Sequence, residues 1–113
     1  MHILVVNSNS SDSITDLARA GALRAAAPGT TITALTAKGG PPAIETAADV
    51  LLAAEATHTA ILNHPAPVDA AIIACFSDPG LKEIRLKAPF PVIGIAEAAM
   101  LDAVRKGGRF SVV

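Results

Sequence analysis

Four short apolar runs divide this chain and constrain its fold more than any other feature: HILVVN at 2–7, TITALT at 31–36, DAAIIAC at 69–75 and PVIGI at 91–95. Each is β-rich, each is bounded by polar or turn-forming residues, and each is too short to be a helix of ordinary length. Between them lie segments with helical spacing. Residues 13–27 place Ile14, Leu17, Ala18, Gly21 and Ala25 on one face, and Pro28-Gly29 ends the run. Residues 45–63 are Ala-rich, with Ala47, Leu51, Ala54 and Ile61 on one face and HPAP closing the segment. A short helix follows Pro79-Gly80 through Lys87, and another spans 97–106 before Gly107-Gly108. The closing residues RFSVV, 109–113, read as the start of a fifth strand. Such alternation predicts an α/β fold: a three-layer, flavodoxin-like, mostly parallel sheet of four to five strands with helices on both faces.

Composition narrows the possibilities further. In 113 residues, one compact unit with a substantial core is expected. There is no Trp or Tyr and there are 24 alanines, so the core must be made of Ile, Leu, Val and Ala with helices packed closely. Nine basic and ten acidic residues, without a charge run, exclude the signature of a nucleic-acid or anionic-membrane partner. One cysteine permits no internal disulfide, which fits a cytoplasmic setting. The start, MHILVVNSNSS, lacks the basic region of a signal peptide, and no uncharged apolar stretch approaches a bilayer span.

In open parallel sheets, ligands bind beyond the carboxyl ends of the strands, where the winding reverses. With strand order 2-1-3-4, the segments leaving the reversal point are Asn7-Ser8-Asn9-Ser10 and Cys75-Phe76-Ser77-Asp78. A polar, amide-rich loop then faces the single thiol. Several chemistries are excluded by missing patterns. GxxxxGK[ST], GxGxxG and GxSxG do not occur, and Leu81 stands where a cysteine phosphatase needs its arginine. His2, His58 and His64 are scattered, and one cysteine makes no CxxC pair, so no metal site is expected. Cys75 itself has two readings. A free cysteine at a strand end is often a small buried hydrophobe. Backbone N–H groups at the following helix start favour an anionic sulfur instead. Asp78 opposes that, unless its carboxylate caps the helix beginning at Pro79. A non-catalytic module that binds a small ligand in the same crevice stays open beside an enzyme.

The chain resembles the Asp/Glu/hydantoin racemase superfamily, and within it the hydantoin and allantoin racemases. The likeness rests on VVNSNSS, GPPAIE, IIACFSDPGL, PVIGIAEAAM and GGRFSVV, which follow one another along the whole chain. It implies cofactor-independent inversion of an acidic carbon beside a carbonyl in a small-molecule substrate. In such enzymes one thiolate removes the α-proton and a second thiol protonates the opposite face. Cys75 matches the first of these cysteines. Asn7, Asn9 and Ser77 match pocket positions, Phe76 and Ile44 would form apolar walls, and Glu97 joins the set from the same edge. As a first-turn acid, Glu97 would equally complement a helix dipole. The resemblance departs in length: family members are about twice as long and carry the second cysteine in a second, similar unit. On this expectation 1–108 form the first unit and 109–113 begin a strand of the second. A truncated product, a one-cysteine reaction like that of arylmalonate decarboxylases, and a homo-oligomer pairing two Cys75 thiols are the three accounts that follow.

Overall fold

The four apolar runs form one parallel sheet in the computed structural model, which describes residues 1–113. In chain order the elements are β1 (His2–Asn7), α1 (Asp12–Ala25), β2 (Thr31–Thr36), α2 (Ala47–Leu62), β3 (Ala70–Ile73), α3 (Leu81–Lys87), β4 (Val92–Gly94) and α4 (Ile95–Gly107). The sheet order is β2-β1-β3-β4, so β1 is central, pairing Val5 with Ala34 on one side and Ile72 on the other. The four strands are hydrogen-bonded in parallel throughout.

Side chains alternate across the two faces, as strand geometry requires. Leu4, Val6, Ala71 and Ile73 join one cluster with Ala56 and Ile61 of α2 and Leu81 and Ile84 of α3. Val5 and Ile72 point the other way, into an apolar groove bordered by Ile14, Leu17 and Ala18 of α1 and Ile95 of α4. Helices thus cover both faces. The main core lies under α2 and α3, where Ile73, Ile84 and Leu4 are fully buried.

Proline and capping chemistry set the end of α1 and the start of α2. α1 stops at Ala25 rather than 27, because Ala26 is already extended on the approach to Pro28. α2 starts at Ala47 rather than 45, because Thr46 and Asp49 form a capping box, Asp49 N donating to Thr46 Oγ1 at 3.1 Å and Thr46 N to Asp49 Oδ2 at 2.9 Å. The face expected for α1 does border the sheet, with Ile14, Leu17, Ala18 and Gly21 lining an open groove over Val5 and Ile72, whereas the face expected for α2 is only partly the buried one. In α2 the buried residues are Ala53, Ala56, Thr57 and Ile61, whereas Leu51 is 69% exposed. In α1 only Thr15 is buried, and Leu17 is 68% exposed. Small alanines surround α2, so spacing alone cannot phase it. No fifth strand forms: residues 109–113 are irregular, and Phe110, Val112 and Val113 are exposed where they lie along α4 near Phe76. They form no ladder with β4, the edge strand of the sheet.

Candidate functional site

The carboxyl ends of β1 and β3 lie side by side, and their outgoing loops are built very differently. At the end of β1, Asn7 is buried, 2% exposed, and its amide organises the loop that follows. Nδ2 donates to Asn9 Oδ1 (2.8 Å), to the Ser11 carbonyl (2.9 Å) and, more weakly, to Thr15 Oγ1 (3.2 Å), while Oδ1 accepts from Asn9 N (3.2 Å). Asn9 Oδ1 also accepts from Ser11 N at 2.9 Å. Thr15 Oγ1 lies 2.7 Å from Thr36 Oγ1, which donates to Asp12 Oδ1 at 2.6 Å. One face of the loop is therefore knit to α1 and β2. The other is tied to α2, because the buried hydroxyls of Ser8 and Thr57 lie 2.8 Å apart.

The loop after β2 leans on the same place. Ala37 N donates to the Asn7 carbonyl (2.8 Å) and Ser10 N to the Pro41 carbonyl (3.0 Å). The approach is so close at Gly40 that a Cβ there would overlap the Ser8 carbonyl oxygen. Ile44, half-buried, sits in this loop between Gly40 and α2.

Beyond β3, Ala74 N still donates to the Val6 carbonyl at 2.8 Å, and then the chain leaves the sheet. The strand thus ends at Ile73, two residues short of the expected Cys75. Cys75 opens a turn closed by Asp78 N donating to its carbonyl at 2.9 Å. It is half-buried, its body packed on the core cluster and its Sγ 3.4 Å from Ser77 Oγ. Phe76 and Ser77 are exposed beside it. A groove of about 680 Å³ lies between α2 and α3, away from Cys75. The half-buried thiol is flanked on its carboxyl side by the exposed Phe76 and Ser77.

Asp78 corrects the expected cap. Its carboxylate does not serve α3, whose N-cap is Gly80. It reaches α4 instead, Oδ1 accepting from Ala96 N (3.0 Å) and Oδ2 from Glu97 N (2.8 Å). That outside cap lets α4 begin at Ile95, two residues earlier than the spacing predicts. The Glu97 side chain is also committed: both carboxylate oxygens are held by the Arg85 guanidinium, at 2.8 and 2.5 Å, while Arg85 Nε donates to the Val92 carbonyl at 2.9 Å. This bidentate pairing holds the Glu97 carboxyl below the usual carboxylate range and raises the Arg85 guanidinium.

Asn7, Asn9, Cys75, Phe76 and Ser77 thus share the edge where β1 and β3 end. Ile44 borders it from the β2 side, and Glu97 stands on the α4 side facing Arg85. The roles of Ser8, Thr15, Thr57, Asp78 and Arg85 were not visible in sequence motifs, since each depends on contacts between separate elements. No three His, Cys, Asp or Glu side chains are grouped to hold a metal ion. No helix is long and apolar enough to cross a membrane.

Comparison with known proteins matches this architecture to one family. The Asp/Glu/Hydantoin racemase family model matches residues 3–113. Hydantoin racemase from Paenarthrobacter aurescens is 38% identical over 117 residues, covering 100% of this chain and 49% of that protein. Hydantoin racemase from Rhizobium meliloti is 40% identical, again over 100% of this chain and 47% of that protein. Among solved structures, allantoin racemase from Klebsiella pneumoniae superposes with a TM-score of 0.88 at 42% identity, over 93% of this chain and 43% of that one. Allantoin racemase from Pseudomonas fluorescens gives 0.89 at 35% identity, over 93% and 45%. The chain spans about half the length of the curated relatives it matches. With the sheet order, the thiol at the β3 end and these similarities together, the chain belongs to the Asp/Glu/hydantoin racemase family.

Proposed function

We propose that this chain carries one half of a cofactor-independent racemase site acting on a hydantoin-type substrate, a 5-substituted hydantoin or allantoin. The observation that supports this most is the placement of Cys75, the sole thiol, at the carboxyl end of β3 beside the polar loop of β1 in a racemase-family fold. The Cys75 thiolate takes the proton from the substrate carbon next to the carbonyl. The electron pair moves into that carbonyl as an enolate, and donors at the edge stabilise the oxygen. Ser77 Oγ, 3.4 Å from Sγ, orients the sulfur or meets the substrate, and the Asn7-organised loop presents Asn9. Ile44 and Phe76 supply apolar walls. Reprotonation from the opposite face completes inversion and needs a second thiol. The 113 residues hold one cysteine, so Cys75 serves one face, and the other comes from a second α/β unit following 109–113 or from a second copy in a homo-oligomer. The protein works in the cytoplasm, where a free thiol persists.

The test follows loss of optical rotation of enantiopure 5-substituted hydantoin and of allantoin, with exchange of the α-proton in D2O. Racemisation, or exchange at one face, is expected, and Cys75→Ala should lower it by about 10²–10⁴-fold, the range of a positioned proton-transfer group. Undiminished turnover in Cys75→Ala would overturn the reading.

A further inference from the structure

The turn that carries Cys75 ends against the first turn of α4, and a single carboxylate makes the junction. Gly94, the N-cap of α4, has no side chain to offer the free N–H groups of that helix. Asp78 supplies both acceptors from 18 and 19 positions away, at 3.0 and 2.8 Å. The charge suits the positive end of the helix. Gly94 is a condition of this contact, because a Cβ built on it would overlap the Asp78 carboxylate. Asp78 is also the only non-glycine residue with positive φ, +46°, a conformation that Asp tolerates better than most residues. Its N–H closes the turn on the Cys75 carbonyl at 2.9 Å, and its own carbonyl accepts from Leu81 N at 3.2 Å. Pro79, next to it, is fully buried. Behind the clasp, Arg85 holds Glu97 and the Val92 carbonyl, fixing α4 and β4 against α3.

The geometry points to Asp78 as the positioning residue of the site: by clasping the start of α4 it fixes the 75–78 turn, and with it the Cys75 sulfur relative to Ser77 and the β1 loop. Asp78 does not reach a substrate, since both its oxygens accept from backbone. Gly94 is its obligatory partner. The inference deepens the proposed function and rests on Cys75 being the proton-transfer residue.

Three variants separate the parts. Asp78→Asn keeps an acceptor and the left-handed backbone. Asp78→Gly keeps the backbone and removes the clasp. Gly94→Ala keeps the carboxylate and removes its seat. Three readouts are compared: kcat and KM for hydantoin racemisation, the rate at which iodoacetamide alkylates Cys75 across the neutral pH range, and amide exchange at Ala96 and Glu97. Asp78→Gly and Gly94→Ala are expected to lower kcat by about 10–100-fold, as misplacement of a reacting group by an ångström does. KM should move less than about 3-fold. Both variants should change the alkylation profile and speed exchange at Ala96 and Glu97, while Asp78→Asn, which keeps one of the two acceptors, should fall between wild type and Asp78→Gly in each readout. Wild-type alkylation and exchange in Asp78→Gly would overturn the clasp. So would an unimpaired Gly94→Ala beside an impaired Asp78→Gly, or an Asp78→Asn as impaired as Asp78→Gly. If Asp78→Gly fails to fold, the Gly94→Ala and Asp78→Asn pair decides alone. Retained racemisation in Cys75→Ala would overturn the proposed function, while alkylation and amide exchange would still decide the clasp.

Discussion

Replacing Asn7 tests whether the β1 loop is held by donors or merely by shape. The Asn7 amide has two hydrogens, and three acceptors surround it: Asn9 Oδ1, the Ser11 carbonyl and Thr15 Oγ1. Asn7→Ala removes these bonds and the one accepted from Asn9 N. Each intramolecular bond is worth about 0.5–1.5 kcal/mol, more where a partner stays buried and unpaired. The partners differ in what they recover. Asn9 is partly exposed and regains water, and the Ser11 carbonyl keeps Thr15 N at 3.2 Å. Thr15 Oγ1 keeps Thr36 at 2.7 Å. The loss should therefore fall near about 2–3 kcal/mol, including the small cavity. For a chain of this size that is roughly 8–12 °C in Tm. Urea denaturation should show a lower midpoint with an unchanged slope. The decisive companion is Asn7→Asp, nearly identical in shape. It turns the donor nitrogen into an oxygen facing three acceptors, so it should destabilise at least as much as Asn7→Ala. An Asn7→Asp protein within about 0.5 kcal/mol of wild type, the range of a neutral surface change, would refute the donor argument.

Other expectations follow from the same contacts and burial. Ile84, fully buried between α3 and the sheet, should cost about 2–5 kcal/mol on mutation to Ala, read as a lower urea midpoint; a cost below about 1 kcal/mol would contradict its place in the core. The Glu97 carboxyl is depressed in the folded state, so its pairing stabilises above its ordinary value of 4.5 and is lost as pH falls through the lower folded value. Wild type should therefore exceed Glu97→Gln in stability at neutral pH and converge with it in acid, and a gap that widens in acid would contradict the sign. The exposed Phe110, Val112 and Val113 form an apolar strip beside Phe76, so the isolated chain should self-associate, and Phe110→Ser with Val112→Ser should reduce it; sedimentation of wild type as a monomer at high concentration would count against this.

The sheet was legible because buried parallel strands are apolar along their whole length, so HILVVN, TITALT, DAAIIAC and PVIGI mark themselves without knowledge of their partners. The order 2-1-3-4 brought the Asn7 and Cys75 segments to one edge, as observed. The phase of α2 was not legible. α2 presents alanines on several sides, and which side is buried depends on where Ile61 and Thr57 meet Leu4, Val6 and Ser8. The source of the α4 cap was equally hidden. Asp78 next to Pro79 looks like a local cap, and only the bare backbone of Gly94, brought near by β3–β4 pairing, redirects it. RFSVV has strand composition, but here it lies along α4 with no strand beside it, so no ladder forms.

The central position of β1 carries a consequence for how the chain is made. His2 N donates to Asp69 Oδ2 at 2.7 Å, and β1 pairs with β3 across this gap of 67 residues. At synthesis rates of about 5–20 residues per second, β1 waits roughly 3–13 s for that partner. During the wait β1 and β2 can pair and α1 can cover one face. The other edge of β1 keeps its N–H and C=O groups unpaired, and an open strand edge is where a nascent chain finds the wrong neighbour. Ribosome-bound chains arrested after α2 should therefore be cut readily by protease within β1, and chains arrested after β4 should resist. Protection already complete after α2 would show that the first βαβ unit stands without its third strand.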